Sequence, residues 1–234
     1  MTEYYEIAEK VIRVESIHQM VHDLCRDYVT DRRDVDIDVV MTEEDIMREK
    51  EKSEYDFPDA YYEELGVYRK ICDVMPRYDT FLFHGSAIAV DGVAYIFTAK
   101  SGTGKSTHSK LWMDRLGDKA IMVNDDKPLI RVTDGCTMVY GTPYNGKHRR
   151  GNNIHVPVRA ICQLTRGETN EIKRISGADI FPTLMVQAYR PADNEMYKKT
   201  LDLMTRMTKT VKFYRLACNM DPEAAVVSYN RMQE

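Results

Sequence analysis

The segment TAKSGTGKSTHSKLW, residues 98–112, carries the residues best suited to chemistry: small residues in a loop, then a lysine and two hydroxyls at the head of an amphipathic stretch. Against the phosphate-loop pattern G-x-x-x-x-G-K-[ST], residues 99–106 match at every position but the first, where Ala99 replaces glycine. Gly102 and Gly104 let backbone N–H groups in the run Ser101, Gly102, Thr103 and Gly104 point into one concavity. The helix that follows adds partial positive charge at its N-terminus. Lys105 then reaches the β and γ phosphates, Ser106 offers a hydroxyl to Mg²⁺, and Thr107 completes the phosphate-contacting run. The expected ligand is a nucleoside triphosphate with Mg²⁺, taken here as ATP, with GTP and pyrophosphate left open.

Binding phosphate is not chemistry, so further groups must converge on the loop. Asp125 and Asp126 end the strand-like segment AIMVN, residues 120–124, twenty positions after Lys105. That separation suffices for a helix, a turn and a returning strand, and ligands gather at that edge of an α/β sheet. One carboxylate can help hold Mg²⁺ while the other orients or deprotonates an acceptor hydroxyl. His84, in LFHGSAIAV, reads on its own as a core histidine. The turn GTPYNGKHRRGNN, residues 141–153, gathers Lys147, His148, Arg149 and Arg150 between glycines. Lys147 is the favoured phosphate contact there, because Gly-Thr-Pro and Asn-Gly fix the backbone around it, whereas Arg149 and Arg150 face solvent.

These groups need a scaffold to hold them. Residues 4–14 read as a strand, Ile17–Tyr28 as a helix, and VDIDVVM, residues 35–41, as a half-buried strand from its alternation. Thr42 followed by Asp45 opens a helix, and another runs through residues 61–75. Two strand-like runs then meet at Asp91-Gly92, a hairpin signal, before the loop and a helix over 105–116. A second hairpin turns at Asp134-Gly135 and a strand covers 156–167. The remainder reads as helices over 178–189 and 193–208, a strand over 212–218 and a terminal helix. This is an α/β (α+β) pattern, with a small N-terminal α+β lobe and connecting helix over 1–78 and a phosphate-loop domain over 79–234.

The order HGSAIAVDGVAYIFTAKSGTGKST, then AIMVNDDKP, resembles the catalytic domain of bacterial HPr kinase/phosphorylase over residues 81–128. The resemblance implies the phosphoenolpyruvate-carboxykinase-like P-loop fold, with a mixed or antiparallel sheet rather than a doubly wound parallel one. It also implies that Asp125 is the base, with His84 hydrogen-bonded to it, and that Asp126 belongs to the metal side with Ser106. On sequence grounds the two aspartates are interchangeable. Thr107 stands where the HPr enzymes usually carry glutamate, and GTPYNGKHRRGNN replaces their Glu-x-Arg-Gly-x-Gly segment. Those departures point away from phosphorolysis and from the phosphocarrier protein as substrate. They point toward the looser HPr-kinase-like and carboxykinase-like relatives, which include kinases of peptide-tailoring clusters.

The leading expectation is therefore a kinase that transfers a γ-phosphoryl group to a hydroxyl of a peptide, a protein or a small molecule. The alternatives are a nucleotide-gated regulatory module and a carboxykinase-like lyase. Composition narrows the partners: 43% hydrophobic and 30% charged residues with a net charge of −4 suit a globular chain and argue against nucleic acid. The longest apolar stretch is broken by His84, Asp91 and two glycines, so no membrane span is expected. The acidic N-terminus lacks a signal-peptide pattern, and five scattered cysteines without a C-x-x-C pair suit a reducing compartment, so the expected location is cytoplasmic. His18, His22 and Cys25 share a helical face but lack a fourth zinc ligand. Met196, Leu203, Met204 and Met207 read as core packing. The HPr enzymes are oligomers, which leaves a homo-oligomer open here.

Overall fold

The first strand is where expectation and structure part. In the computed structural model, which describes residues 1–146 and 149–234, the run 4–14 is a hairpin. Strand β1 (Thr2–Ile7) pairs antiparallel with β2 (Lys10–Glu15). The turn between them is Ala8-Glu9, both with positive φ (49° and 57°). That is the conformation of the tightest hairpin turns, made without the Gly or Asn that would announce it. Strand β3 (Ile37–Val40) joins β2 in parallel, burying Ile37 and Val39 and exposing Asp38 and Val40, as its alternation predicts.

Helix α1 (Met20–Cys25) is shorter than the expected 17–28. Its approach is captured from outside: the backbone N–H groups of Ile17 and His18 donate to the two oxygens of fully buried Glu63, at 2.6 and 2.8 Å. Helix α2 (Glu43–Lys50) carries the reciprocal cap read in the sequence, Thr42 with Asp45. Helix α3 (Asp59–Val74) follows. The apolar sides of these elements pack together and against Leu129, Tyr140 and Tyr144 from farther along the chain.

Three strands then lead to the phosphate loop: β4 (Thr80–Leu82), β5 (Ser86–Val90) and β6 (Val93–Thr98). Asp91 and Gly92, with φ of 51° and 80°, make the β5–β6 turn. Beyond the loop come α4 (Lys105–Leu116), β7 (Ala120–Asn124), and the hairpin β8 (Leu129–Thr133) with β9 (Cys136–Tyr140). The chain closes with β10 (His155–Arg166), β11 (Glu171–Ile175), α5 (Gly177–Gln187), α6 (Asn194–Met207), β12 (Lys212–Cys218) and α7 (Glu223–Met232). The strand β11 has no counterpart in the sequence reading. Its residues EIKRI are at most half-buried and it pairs with β12 alone, so a charged edge strand leaves little apolar signal.

Among the described residues the strands form a three-stranded sheet, β1-β2-β3, and a nine-stranded one whose main path is β4-β8-β9-β10-β6-β5-β7. The larger sheet is mixed. Strand β5 is antiparallel to β6 and β7, whereas β6 and β12 run parallel to β10. Strand β10 pairs with β9 through its first residues and with β12 through its last.

Both faces of this sheet are covered, and the period-2 alternation along β5 shows how. Ala87 and Ala89 join Ile180 and Leu184 of α5 and Leu203, Met204 and Met207 of α6. Ile88 and Val90 join Trp112 of α4 and Ala225 and Met232 of α7. A strand covered on both sides reads as an unbroken apolar run, and each fully buried large side chain contributes about 1.5–3 kcal/mol. Met196, Met204 and Met207 are core residues, as the sequence implies. No helix among the described residues is long and apolar enough to cross a membrane.

Candidate active site at one edge of the sheet

The strand register brings three chain segments to one end of the sheet. Ser86 lies opposite Phe97, and Ala87 opposite Asn124. The start of β5, the end of β6 and the end of β7 therefore coincide. His84 precedes β5, the phosphate loop follows β6, and Asp125-Asp126 follow β7.

The loop owes its form to glycine. Gly104, at φ 119°, is the residue from which α4 departs, and no side chain caps that N-terminus. A β-carbon at Gly104 would meet open space, so glycine is required there by the backbone angle and not by crowding. The first-turn N–H groups of an α-helix have no partners within the helix and point toward its N-terminus. Ser101, Gly102, Ser106 and Thr107 are exposed, and Thr103 is partly so. Ala99 does not strain the loop: it keeps negative φ and is buried with Trp112 and Phe97 beneath it.

Lys105 is buried, and its Nζ donates to the Ala99 carbonyl at 3.0 Å. Burial lowers its ammonium pKa, an effect only partly offset by the charge of Asp126. The lysine is thus held beneath the loop with its charge poorly compensated, an arrangement that phosphate would relieve.

The two aspartates, indistinguishable in sequence, differ in structure. His84 meets Asp126, with Nε2 3.2 Å from Oδ1, and both side chains are about one-third exposed. The expected His84–Asp125 contact is not the one formed. Asp125 instead turns beneath the 141–146 segment, is nearly buried, and accepts the Gly146 N–H at 2.6 Å. A β-carbon on Gly146 would lie 3.2 Å from that carboxylate. The physical reason is the turn after β7: Asn124 Oδ1 accepts the N–H groups of Asp126 and Lys127, at 2.9 and 2.7 Å. The two side chains leave this turn on different sides, Asp125 toward Gly146 and Asp126 toward His84.

Burial pushes the Asp126 carboxyl up, but the His84 contact and the charges of Lys127, His84 and Lys105 hold it below its ordinary value. It is an anion at neutral pH. His84 is fixed from behind, since its N–H donates to the Gln187 carbonyl at 2.8 Å and its carbonyl accepts from Thr98 Oγ1 at 3.0 Å. The neighbouring Gly85 N–H donates to the Asp126 carbonyl at 3.1 Å. Ser106, exposed in the first turn of α4, offers a hydroxyl oxygen of the hard type that suits Mg²⁺, an ion that takes only one or two protein ligands beside a nucleotide.

Lys147 lies outside the described residues. Arg149 and Arg150, at the same turn, are exposed as expected. His22 lies between Tyr5 Oη and Ser16 Oγ, at 2.5 and 2.7 Å, and His18 meets Glu63, so both rings of the zinc-like spacing are engaged by protein groups.

Several residues that sequence reasoning passed over support the site. Asn124, fully buried, donates through Nδ2 to Thr142 Oγ1 at 3.0 Å, so one amide holds both the aspartate turn and the segment above it. His108 and Trp112 on α4 converge on Ser228 of α7, at 3.0 and 2.8 Å, anchoring the helix that carries Lys105. A cavity of about 490 Å³ adjoins the loop at Thr107, Leu111, Arg166 and Met220. Another of about 290 Å³ opens beside His84 and Asp126 against α3.

No protein-family model and no curated protein matches this sequence. Among solved structures, the chain is similar to the HPr(Ser) kinase/phosphatase of Coxiella burnetii, with 10% identical residues and a TM-score of 0.38 over 65% of this chain and 96% of that one.

Proposed function

We propose that the chain is an ATP- and Mg²⁺-dependent phosphotransferase that moves the γ-phosphoryl group to a hydroxyl. The observation that carries this reading is the convergence, at one sheet edge, of a phosphate loop with a buried lysine and a carboxylate paired with histidine. Phosphoryl transfer asks a protein mainly for positioning and charge stabilisation, and those are the two things this edge supplies.

Lys105 and the N-terminus of α4 face the phosphates. Asp126 accepts the hydroxyl proton while the acceptor oxygen bonds to phosphorus and the nucleoside diphosphate departs. Its lowered basicity suits a loose transition state, in which the carboxylate orients the hydroxyl more than it strips it. His84 keeps Oδ1 occupied and directs the carboxylate. Bound Mg²⁺, reached by Ser106, would neutralise charge on the β and γ phosphates. Asp125, held by Gly146, fixes the 141–146 segment over the site rather than serving as the base.

The test is acceptor profiling with γ-labelled ATP and a cell extract fractionated into small molecules, peptides and proteins. The wild-type chain should label a component, and Asp126→Asn should bind Mg²⁺-ATP but label none. A wild-type chain that binds nucleotide and labels nothing would return the reading to a nucleotide-gated regulatory module.

A further inference from the structure

The roughly 290 Å³ cavity lies against the His84–Asp126 pair, with its far wall built from α3. We infer that this cavity seats the phosphoryl acceptor, and that the acceptor is a small hydroxyl-bearing compound with an apolar body and one anionic group. The inference rests on the phosphotransferase reading.

Position is the first argument. His84 and Asp126 line the cavity, so a hydroxyl bound there is within reach of the group that would take its proton, and reach comes before pKa in identifying a base. Chemistry of the wall is the second. Leu65, Tyr68 and Cys72 from α3 meet Leu82 and Tyr189 across the cavity. The tyrosine hydroxyls are already committed, Tyr68 Oη to the Lys127 carbonyl at 2.8 Å and Tyr189 Oη to Asp73 at 2.9 Å. What they leave to a ligand is largely apolar surface.

Charge is the third argument. Two cations border the cavity. Arg69 is bound in a fork by Glu49, at 2.7 and 2.9 Å. Lys127, half-buried, makes no direct ion pair among the described residues, and its charge is shared at longer range with Asp126 and Glu64. A partly desolvated ammonium beside an apolar wall is best compensated by an anion on the ligand. Size is the fourth. The volume lies at the small end of the ~300–1,000 Å³ range of ligand pockets, whereas a stable protein interface needs ~800 Å² on each partner.

The probes are 3-phenyllactate, neutral 2-phenylethanol and an unstructured seryl peptide, titrated by NMR into the full chain with a non-hydrolysable ATP analogue and Mg²⁺. The expected result is that 3-phenyllactate binds roughly tenfold more tightly than 2-phenylethanol and perturbs α3 resonances. Lys127→Met should level the two, and Leu65→Trp, which fills the cavity, should weaken 3-phenyllactate by about tenfold while analogue affinity serves as control. If Leu65→Trp does not fold, Cys72→Met tests the same wall with a smaller change. Equal binding of the charged and neutral probes, binding unaltered by either cavity variant, preference for the peptide, or no binding by any probe would each overturn the inference. Failure of the wild-type chain to bind the Mg²⁺-ATP analogue would instead overturn the phosphotransferase reading, and the probe titrations without nucleotide would still decide the cavity.

Discussion

The phosphate-loop half and the His84–Asp126 half of the candidate site are built in opposite ways. The phosphate loop and the first turn of α4 are one continuous stretch, residues 99–107, whose conformation follows from local backbone preference and a helix N-terminus. The cavity beside His84 and Asp126 comes from separated segments: α3, the β4–β5 junction, the turn after β7, and the residues following α5. A local device survives sequence drift around it and can be recognised by spacing. An assembled one exists only if the sheet register is right, so its parts look ordinary in isolation.

The largest test of that contrast uses the adjacent aspartates. Asp126→Asn should lower phosphoryl transfer ~10²- to 10⁴-fold with nucleotide affinity kept, because an amide cannot take the hydroxyl proton. Asp125→Asn can still accept the Gly146 N–H through its amide oxygen and should leave most transfer intact. Single-turnover rates of both variants decide it. The reverse ranking would make Asp125 the base and break the assignment drawn from the His84 contact.

On the donor side, Lys105→Ala should remove thermal stabilisation by Mg²⁺-ATP and cost transfer ~10²- to 10³-fold, the usual cost of deleting one charge-stabilising donor. The apo chain should melt no lower than wild type, since the Ala99 carbonyl and Asp126 only partly offset the cost of burying the ammonium. Unchanged nucleotide affinity would end the phosphate-loop assignment.

A smaller effect concerns how the donor helix is anchored. Burial holds the His108 imidazole down at about 4, against an ordinary value of 6.5. The unfolded chain therefore binds the extra proton first as pH falls. The corresponding stability is complete above about pH 6.5 and is lost between there and pH 4, amounting to roughly 3 kcal/mol. Urea melts of wild type and His108→Asn across this window should diverge in slope, with the variant the flatter.

The smallest effect is purely local. Gly92→Ala places a β-carbon in open space but at φ 80°, so it should cost about 1–2 kcal/mol from backbone strain alone and leave transfer unaltered. A change in nucleotide affinity would mean that the β5–β6 turn communicates with the loop.

Much of the fold was legible before the structure. The spans of α4, β7 and the β8–β9 hairpin coincide with the sequence reading because each is bounded by a glycine or turn signal. The Ala8-Glu9 turn was missed because its residues carry no such signal, and α1 was overextended because its first N–H groups are taken by Glu63, a residue of a helix still to come. The placement of Lys105 and Ser106 at the start of a helix after a strand and a glycine loop was legible from spacing. The partnership of His84 with Asp126 rather than Asp125 was not, and neither was the part played by α3.

The local code of this chain decided that a phosphate loop exists, where its helix starts, and that two carboxylates and a histidine lie near the same sheet edge. Spacing and backbone preference act within a few residues, and that range was enough. Which carboxylate faces the histidine, which one clamps the 141–146 segment, and what walls the cavity beside them were decided by Asn124, the β5–β7 register and the packing of α3. Those depend on side-chain direction to within one residue and on contacts between positions tens of residues apart, which only the folded chain brings together.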